Sequence, residues 1–108
     1  MVDRSNLQST LALLILKTLA RGSNHGFGIA LHIQNASQGL LNVEEGSLYP
    51  ALHRLERDRM LSAEWRVTSN GRRARYYKLT ANGRKRLRQA EESWDVTSKG
   101  VTRVLRFA

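Results

Sequence analysis

Arg72, Arg73 and Arg75 fall close together directly after Asn70-Gly71. Like charges set this near one another repel unless a polyanion shares their field, so the chemistry this group suits is contact with phosphate. A second basic run, Arg84, Lys85, Arg86 and Arg88, reads first as a solvated helical face and second as a contact to a DNA flank. Between Gly46 and Arg57, the residues Ser47, Tyr49, Pro50, His53, Arg54 and Arg57 lie away from the apolar stripe Leu48, Leu52 and Leu55. A helix with that polar face can present donors, acceptors and one aromatic ring to base edges in a major groove. Other chemistries find less support. The three histidines, His25, His32 and His53, lack metal-ligand spacing, and the absence of cysteine removes thiolate catalysis and cysteine-based zinc sites. No phosphate-cradling glycine loop and no carboxylate pair at a recognisable spacing occurs, so neither an enzyme, a cofactor nor a metal is expected.

The chain has 108 residues, enough for one domain, and a formal net charge of +9 from 18 Lys and Arg against 9 Asp and Glu. That excess favours a polyanionic partner, nucleic acid ahead of a membrane surface. No apolar run approaches the roughly 20 residues that span a bilayer. The opening Met1-Val2-Asp3-Arg4-Ser5-Asn6 lacks the layout of a signal peptide. No membrane association and a cytoplasmic location are the expectations.

The elements that must position these groups follow from periodicity. Leu7, Leu11, Leu14, Ile15 and Leu19 recur at helical spacing, with Asn6 as N-cap and Gly22 as stop. After Ser23-Asn24-His25-Gly26, the run Phe27 to Ser37 carries Ile29, Ala30, Ile33 and Ala36 along one side of a second helix, closed by Gly39. Pro50 is tolerated near a helix start, so the third helix should begin close to Gly46. From Leu61 the period becomes two. Leu61, Ala63, Trp65 and Val67 predict a half-buried strand, and Arg75, Tyr77 and Leu79 predict its partner across a tight Asn70-Gly71 turn. Trp65, Tyr76 and Tyr77 read as core and hairpin support. Thr80 can cap a last helix in which Leu87, Ala90, Trp94, Thr97, Val101 and Val104 form an a/d seam, polar at Thr97 and weakened at Gly100. The seam is too short for a free rod and predicts one arm of a dimer.

Three helices, a hairpin with a basic tip and a trailing helix make up a winged helix-turn-helix, a mostly helical α+β fold. Residues 1–80 would form the DNA-binding unit and residues 81–108 a C-terminal dimerisation helix. The third helix is then the reader, and the hairpin is a wing reaching the backbone or the adjacent minor groove.

Three stretches also resemble the PadR family of bacterial transcription factors. They are His25-Gly26-Phe27-Gly28-Ile29; Gly46-Ser47-Leu48-Tyr49-Pro50-Ala51-Leu52 with Arg54-Leu55-Glu56; and Arg73-Ala74-Arg75-Tyr76-Tyr77-Lys78-Leu79-Thr80 with Gly83-Arg84. The likeness runs from about Leu7 to about Leu87, and in the opening and the wing it looks closest to an acidobacterial-type subgroup. It implies a homodimeric regulator, usually a repressor, that binds double-stranded operator DNA. It points to Ser47, Tyr49 and Pro50 on the reading helix and to Asn70, Gly71, Arg72 and Arg73 at the wing tip, beside which the charge pattern sets His53, Arg54 and Arg75. Longer members add helices after the wing, and this chain carries one. Trp94 has two readings. It is a large residue of the dimer interface or, by resemblance to members that bind aromatic drugs, part of a cavity between subunits for a flat apolar effector. Two other classes fit parts of the pattern. A sequence-neutral architectural protein would suit the charge, and a protein-interaction module would suit the fold but not the arginine-rich tip.

Overall fold

The computed structural model describes the backbone of residues 4–107 and the side chains of residues 10–107. The chain runs α1 (Arg4–Leu19), β1 (Asn24–His25), α2 (Gly26–Ala36), α3 (Glu45–Arg57), β2 (Leu61–Val67), β3 (Arg73–Leu79) and α4 (Ala81–Phe107). It is the mostly helical winged helix-turn-helix that the periodicities predict. The core forms where the apolar stripes meet: Leu11, Ile15, Leu16 and Leu19 from α1, Ile29 and Ile33 from α2, and Leu48, Ala51 and Leu52 from α3. Leu61, Tyr77 and Leu79 close it from the sheet and Leu87 from α4. Burying such side chains contributes about 1.5–3 kcal/mol each for the larger ones, which holds three short helices whose propensity alone would not.

Several local expectations are revised. α1 begins ahead of Asn6, which therefore stands inside the helix and not at its cap. The side chains of Asn6 and Leu7 lie outside the described residues. α2 begins at Gly26, capped by His25, whose ring nitrogen Nδ1 accepts from the Gly28 N–H at 3.1 Å. The loop before it holds a two-residue strand. Asn24 and His25 pair antiparallel with Tyr77 and Tyr76, making a three-stranded sheet of order β1-β3-β2. Pro50 is the sixth residue of α3, where it removes one intrahelical hydrogen bond beyond the first turn.

The hairpin pairs Leu61 with Leu79 through Val67 with Arg73. It does not turn on a two-residue Asn70-Gly71 loop. The Gly71 N–H bonds the Thr68 carbonyl at 2.9 Å and the Thr68 N–H bonds the Arg72 carbonyl at 2.7 Å, which leaves a three-residue loop. Gly71 has φ +81° and Asn70 is not in the left-handed region, the arrangement of a turn followed by a glycine bulge. Apolar alternation along β2 also stops meaning burial. Leu61 is buried, but Trp65 and Val67 are 60% and 68% exposed, because the outer half of the hairpin stands away from the core.

Thr80 caps α4 as expected. Its hydroxyl accepts from the Gly83 N–H at 3.0 Å and also bonds the Arg59 carbonyl at 2.7 Å, while its own N–H donates to the Met60 carbonyl at 3.1 Å. A Lys17–Glu91 ion pair at 3.1 Å ties α1 to α4. Beyond it the helix leaves the body, and from Ser93 to Phe107 only Ser98 is even half-buried. No described helix is long and apolar enough to cross a membrane.

Candidate nucleic-acid interface

α3 turns Leu48, Ala51 and Leu52 into the core, which leaves Ser47, Tyr49, Pro50 and His53 exposed and Arg54 half-buried on the other side. Tyr49 has a seat. A Cβ built on Gly26 would lie 2.9 Å from Tyr49 Cε1 and 3.1 Å from its hydroxyl oxygen, so the bare glycine at the start of α2 lets the ring lie against the backbone. His25 stands next to it. Its ring meets Tyr76 edge-on at 5.2 Å between centroids and lies parallel to Phe27 at 6.4 Å, joining α2 to the wing.

On the wing, the Thr68 hydroxyl donates to Asn70 Oδ1 at 2.8 Å and accepts from the Arg72 N–H at 3.2 Å, which stiffens the tip. Arg72 and Arg73 are both exposed, and among the described residues neither has an acidic partner. The Arg73 guanidinium lies over the exposed Trp65 ring at 5.1 Å, and that of Arg66 over Tyr76 at 5.0 Å. Arg75 is placed differently from its neighbours. Its Nη2 donates to Glu56 Oε2 of α3 at 2.6 Å. Beside it, burial pushes the Tyr77 hydroxyl above its ordinary pKa of 10.0, partly offset by the Arg75 charge.

A cleft of about 840 Å³ opens between these parts, walled by the first residues of α2, by Tyr49 and His53 of α3, and by the wing from Trp65 to Tyr77. Its walls are aromatic and its rim is cationic, so it suits the sugar-phosphate edge of a nucleic acid. The structure brings Tyr49, His53 and the wing tip residues Asn70, Arg72 and Arg73 to that one cleft, whereas Ser47, Pro50 and Arg54 are not among its walls. Sequence reading misses Phe27 as a cleft residue and leaves His25 between a structural and a DNA-contact role; it reads Trp65 as core and hairpin support, but Trp65 is not core: it is 60% exposed and walls the cleft under the Arg73 guanidinium. Glycines at 26 and 28 are the signal that marks a close approach there.

On α4, Leu87 is 7% exposed and belongs to the chain's own core, and Ala90 is half-buried. Trp94 is 51%, Val101 51% and Val104 63% exposed on the same helical side as Thr97. Among the described residues no group of three His, Cys, Asp or Glu is placed to hold a metal ion.

The seat of Tyr49 makes a prediction. Gly26→Ala displaces a flexible ring and not backbone, so unfolding midpoints should change little, while affinity for a cognate duplex should fall by about tenfold, the scale of a single base-edge interaction. Unaltered affinity in a fluorescence-anisotropy titration would remove Tyr49 from the DNA-facing surface.

Comparison with known proteins agrees with this geometry. Residues 15–89 match the profile of the transcriptional regulator PadR-like family. A transcriptional regulator of Mycobacterium tuberculosis is 34% identical over 94 residues, covering 87% of this chain and 84% of that protein. The crystal structure of a PadR-like transcription factor from Bacteroides fragilis superposes with a TM-score of 0.76 at 32% identity, over 93% of this chain and 94% of the other. A PadR family regulator from Eggerthella lenta gives 0.78 at 28% identity, over 96% and 89%.

Proposed function

Because the chain belongs to the PadR-like family of transcriptional regulators, we propose that it is a sequence-specific, homodimeric repressor that reads operator DNA with α3 and the wing. The single observation that carries this reading is the cleft that sets Tyr49 and His53 of α3 opposite Arg72 and Arg73 of the wing, neither of which has an acidic partner among the described residues. Ser47, Tyr49, Pro50, His53 and Arg54 face base edges and the adjoining backbone, and Asn70, Gly71, Arg72 and Arg73 face phosphate. Residues 1–80 act as the reading unit and residues 81–108 as the pairing helix.

The exposed stripe Trp94, Thr97, Val101 and Val104, rooted at Ala90 and Leu87, supports pairing with a second copy, since apolar side chains in solvent are favourably buried on association. A two-fold dimer would present its α3 helices to successive major grooves about 34 Å apart, so the operator is a pseudo-palindrome. Occupancy there blocks polymerase. Trp94 and its symmetry mate offer a flat apolar effector a place between subunits. Such a molecule would act through its difference in affinity for two arrangements of the α4 pair.

The test is competition between the duplex upstream of the protein's own gene and an unrelated duplex of equal length, across a salt series. Preference of ~10³-fold or more at physiological salt is the expected result. Equal binding favours an architectural protein, and absence of binding to both defeats the reading. With Arg72 and Arg73 both replaced by alanine, the slope of log affinity against log salt should fall by about 0.9 for each phosphate no longer neutralised, with the sequence preference kept.

A further inference from the structure

We infer that Glu56 and Arg75 form a latch that sets the opening between α3 and the wing, so that Arg75 serves DNA binding as a positioning residue and not as a phosphate ligand; this rests on the operator-binding reading above. Arg75 comes from the middle of β3 and Glu56 from the last turn of α3, and their side chains meet at 2.6 Å. Among the described residues this is the one ion pair that joins α3 to the wing, and it is the most buried, with side chains 37% and 28% exposed. The Arg75 Nε is buried and makes no hydrogen bond, so the guanidinium is closed off from solvent on that side. Swinging it out to a phosphate would break its charge-assisted bond to Glu56 and leave that carboxylate half-buried without its partner.

The pair sits near the point where the wing leaves the body, and beyond it the wing is tied back by an exposed hydrogen bond from Arg66 Nη1 to the Ser23 hydroxyl at 3.2 Å. Inside it, Leu61, Tyr77 and Leu79 are fixed in the core; Trp65 stands opposite Arg75, and outside it Arg66, Val67 and Arg73 are exposed. A two-stranded hairpin by itself is marginally stable, so the direction of the outer wing is set mainly by the stronger of its outermost ties to the body, the half-buried, charge-assisted bond to Glu56 rather than the exposed neutral acceptor Ser23. From Arg75 to the tip is about 13 Å of strand, so a swing of some ten degrees at the latch displaces Arg72 by about 2 Å, enough to break a hydrogen bond to phosphate.

The latch makes a prediction opposite in sign to plain electrostatics. Glu56→Ala removes a negative charge from a DNA-facing surface, which by charge alone strengthens binding. The latch requires it to weaken operator binding, by about tenfold. Arg75→Ala should cost about the same, and the double variant no more than either single one, since both remove one coupling. Exchanging the two, Glu56→Arg with Arg75→Glu, should recover most of the affinity. A second readout needs no DNA: amide hydrogen exchange at Arg66, Thr68 and Ala74, whose N–H groups face the partner strand, should quicken in both single variants and slow again in the exchanged pair, while core amides keep their protection.

Tighter or unchanged binding in Glu56→Ala, with a salt slope reduced in Arg75→Ala by about 0.9 per phosphate released, would make Arg75 a phosphate ligand and overturn the latch. Unchanged exchange at the outer wing would overturn it as well. Should the wild-type protein prefer no duplex over another, the operator reading falls, and the exchange measurement still decides the latch.

Discussion

Replacing Val101 by aspartate is expected to turn the proposed dimer into monomers and to lower operator affinity by about 10²-fold or more. Val101 lies midway along the exposed stripe of α4, at 51% exposure in the single chain, with Trp94 and Val104 on either side. Bringing two like charges together inside an apolar seam costs several kcal/mol of desolvation, more than a short seam of three large residues can offset. Monomers then bind half-sites one at a time. Linking two reading heads multiplies affinity by roughly 10²–10⁴ through effective concentration, and that factor is what the variant forfeits. Sedimentation velocity and an anisotropy titration on the same sample measure both effects, and the salt slope should fall toward half its value because one reading head neutralises half as many phosphates. Val96→Asp is the control. Val96 is 71% exposed and stands about 140° around the same helix from Val101, so that variant should stay dimeric and bind as the wild type does. A Val101→Asp protein that remains dimeric would show that the copies pair through another surface.

Gly83→Ala should destabilise the fold by about 3 kcal/mol, although alanine is the better helix former. Gly83 is buried in the first turn of α4, and a Cβ there would run into the Met60 carbonyl oxygen. That oxygen is backbone and is already held by the Thr80 N–H at 3.1 Å, so it cannot yield as a side-chain tip would. Relief must come from α4 lifting off the turn between α3 and β2, which also alters the direction in which α4 leaves the body. Gly100 lies in the same helix with open space where its Cβ would be. Gly100→Ala should therefore stabilise by about 0.5–1 kcal/mol. Urea denaturation of the two variants beside the wild type tests the contrast. Equal effects of the same sign would mean that helix propensity, and not the approach to Met60, governs both positions.

The elements and their faces were legible in the chain itself. Spacings of three and four mark α1, α2, α3 and α4, alternation marks the inner half of each wing strand, and Thr80 marks the start of α4. Each signal depends on residues a few positions apart, and the fold is built from those local repeats. Arg72 and Arg73 were legible as a cationic tip for the same reason, since three like charges beside a glycine turn need no distant partner to be noticed.

Where a side chain's fate is decided by a group far along the chain, only the folded molecule decides it. Arg75 looks like Arg72 and Arg73 until α3 brings Glu56, 19 residues away in sequence, to its guanidinium. Leu87 begins the α4 seam by spacing, yet the docking of that helix on Met60 turns it into the chain's own core. Trp65 keeps the alternation of β2 but is not packed into the core; it is 60% exposed, with the Arg73 guanidinium over its ring. Asn24 and His25 are too short a strand to carry a period and exist because β3 offers them its free edge. Local spacing specifies which face of an element is apolar; how far the neighbouring element extends determines whether that face is covered, and with it which residues remain for DNA.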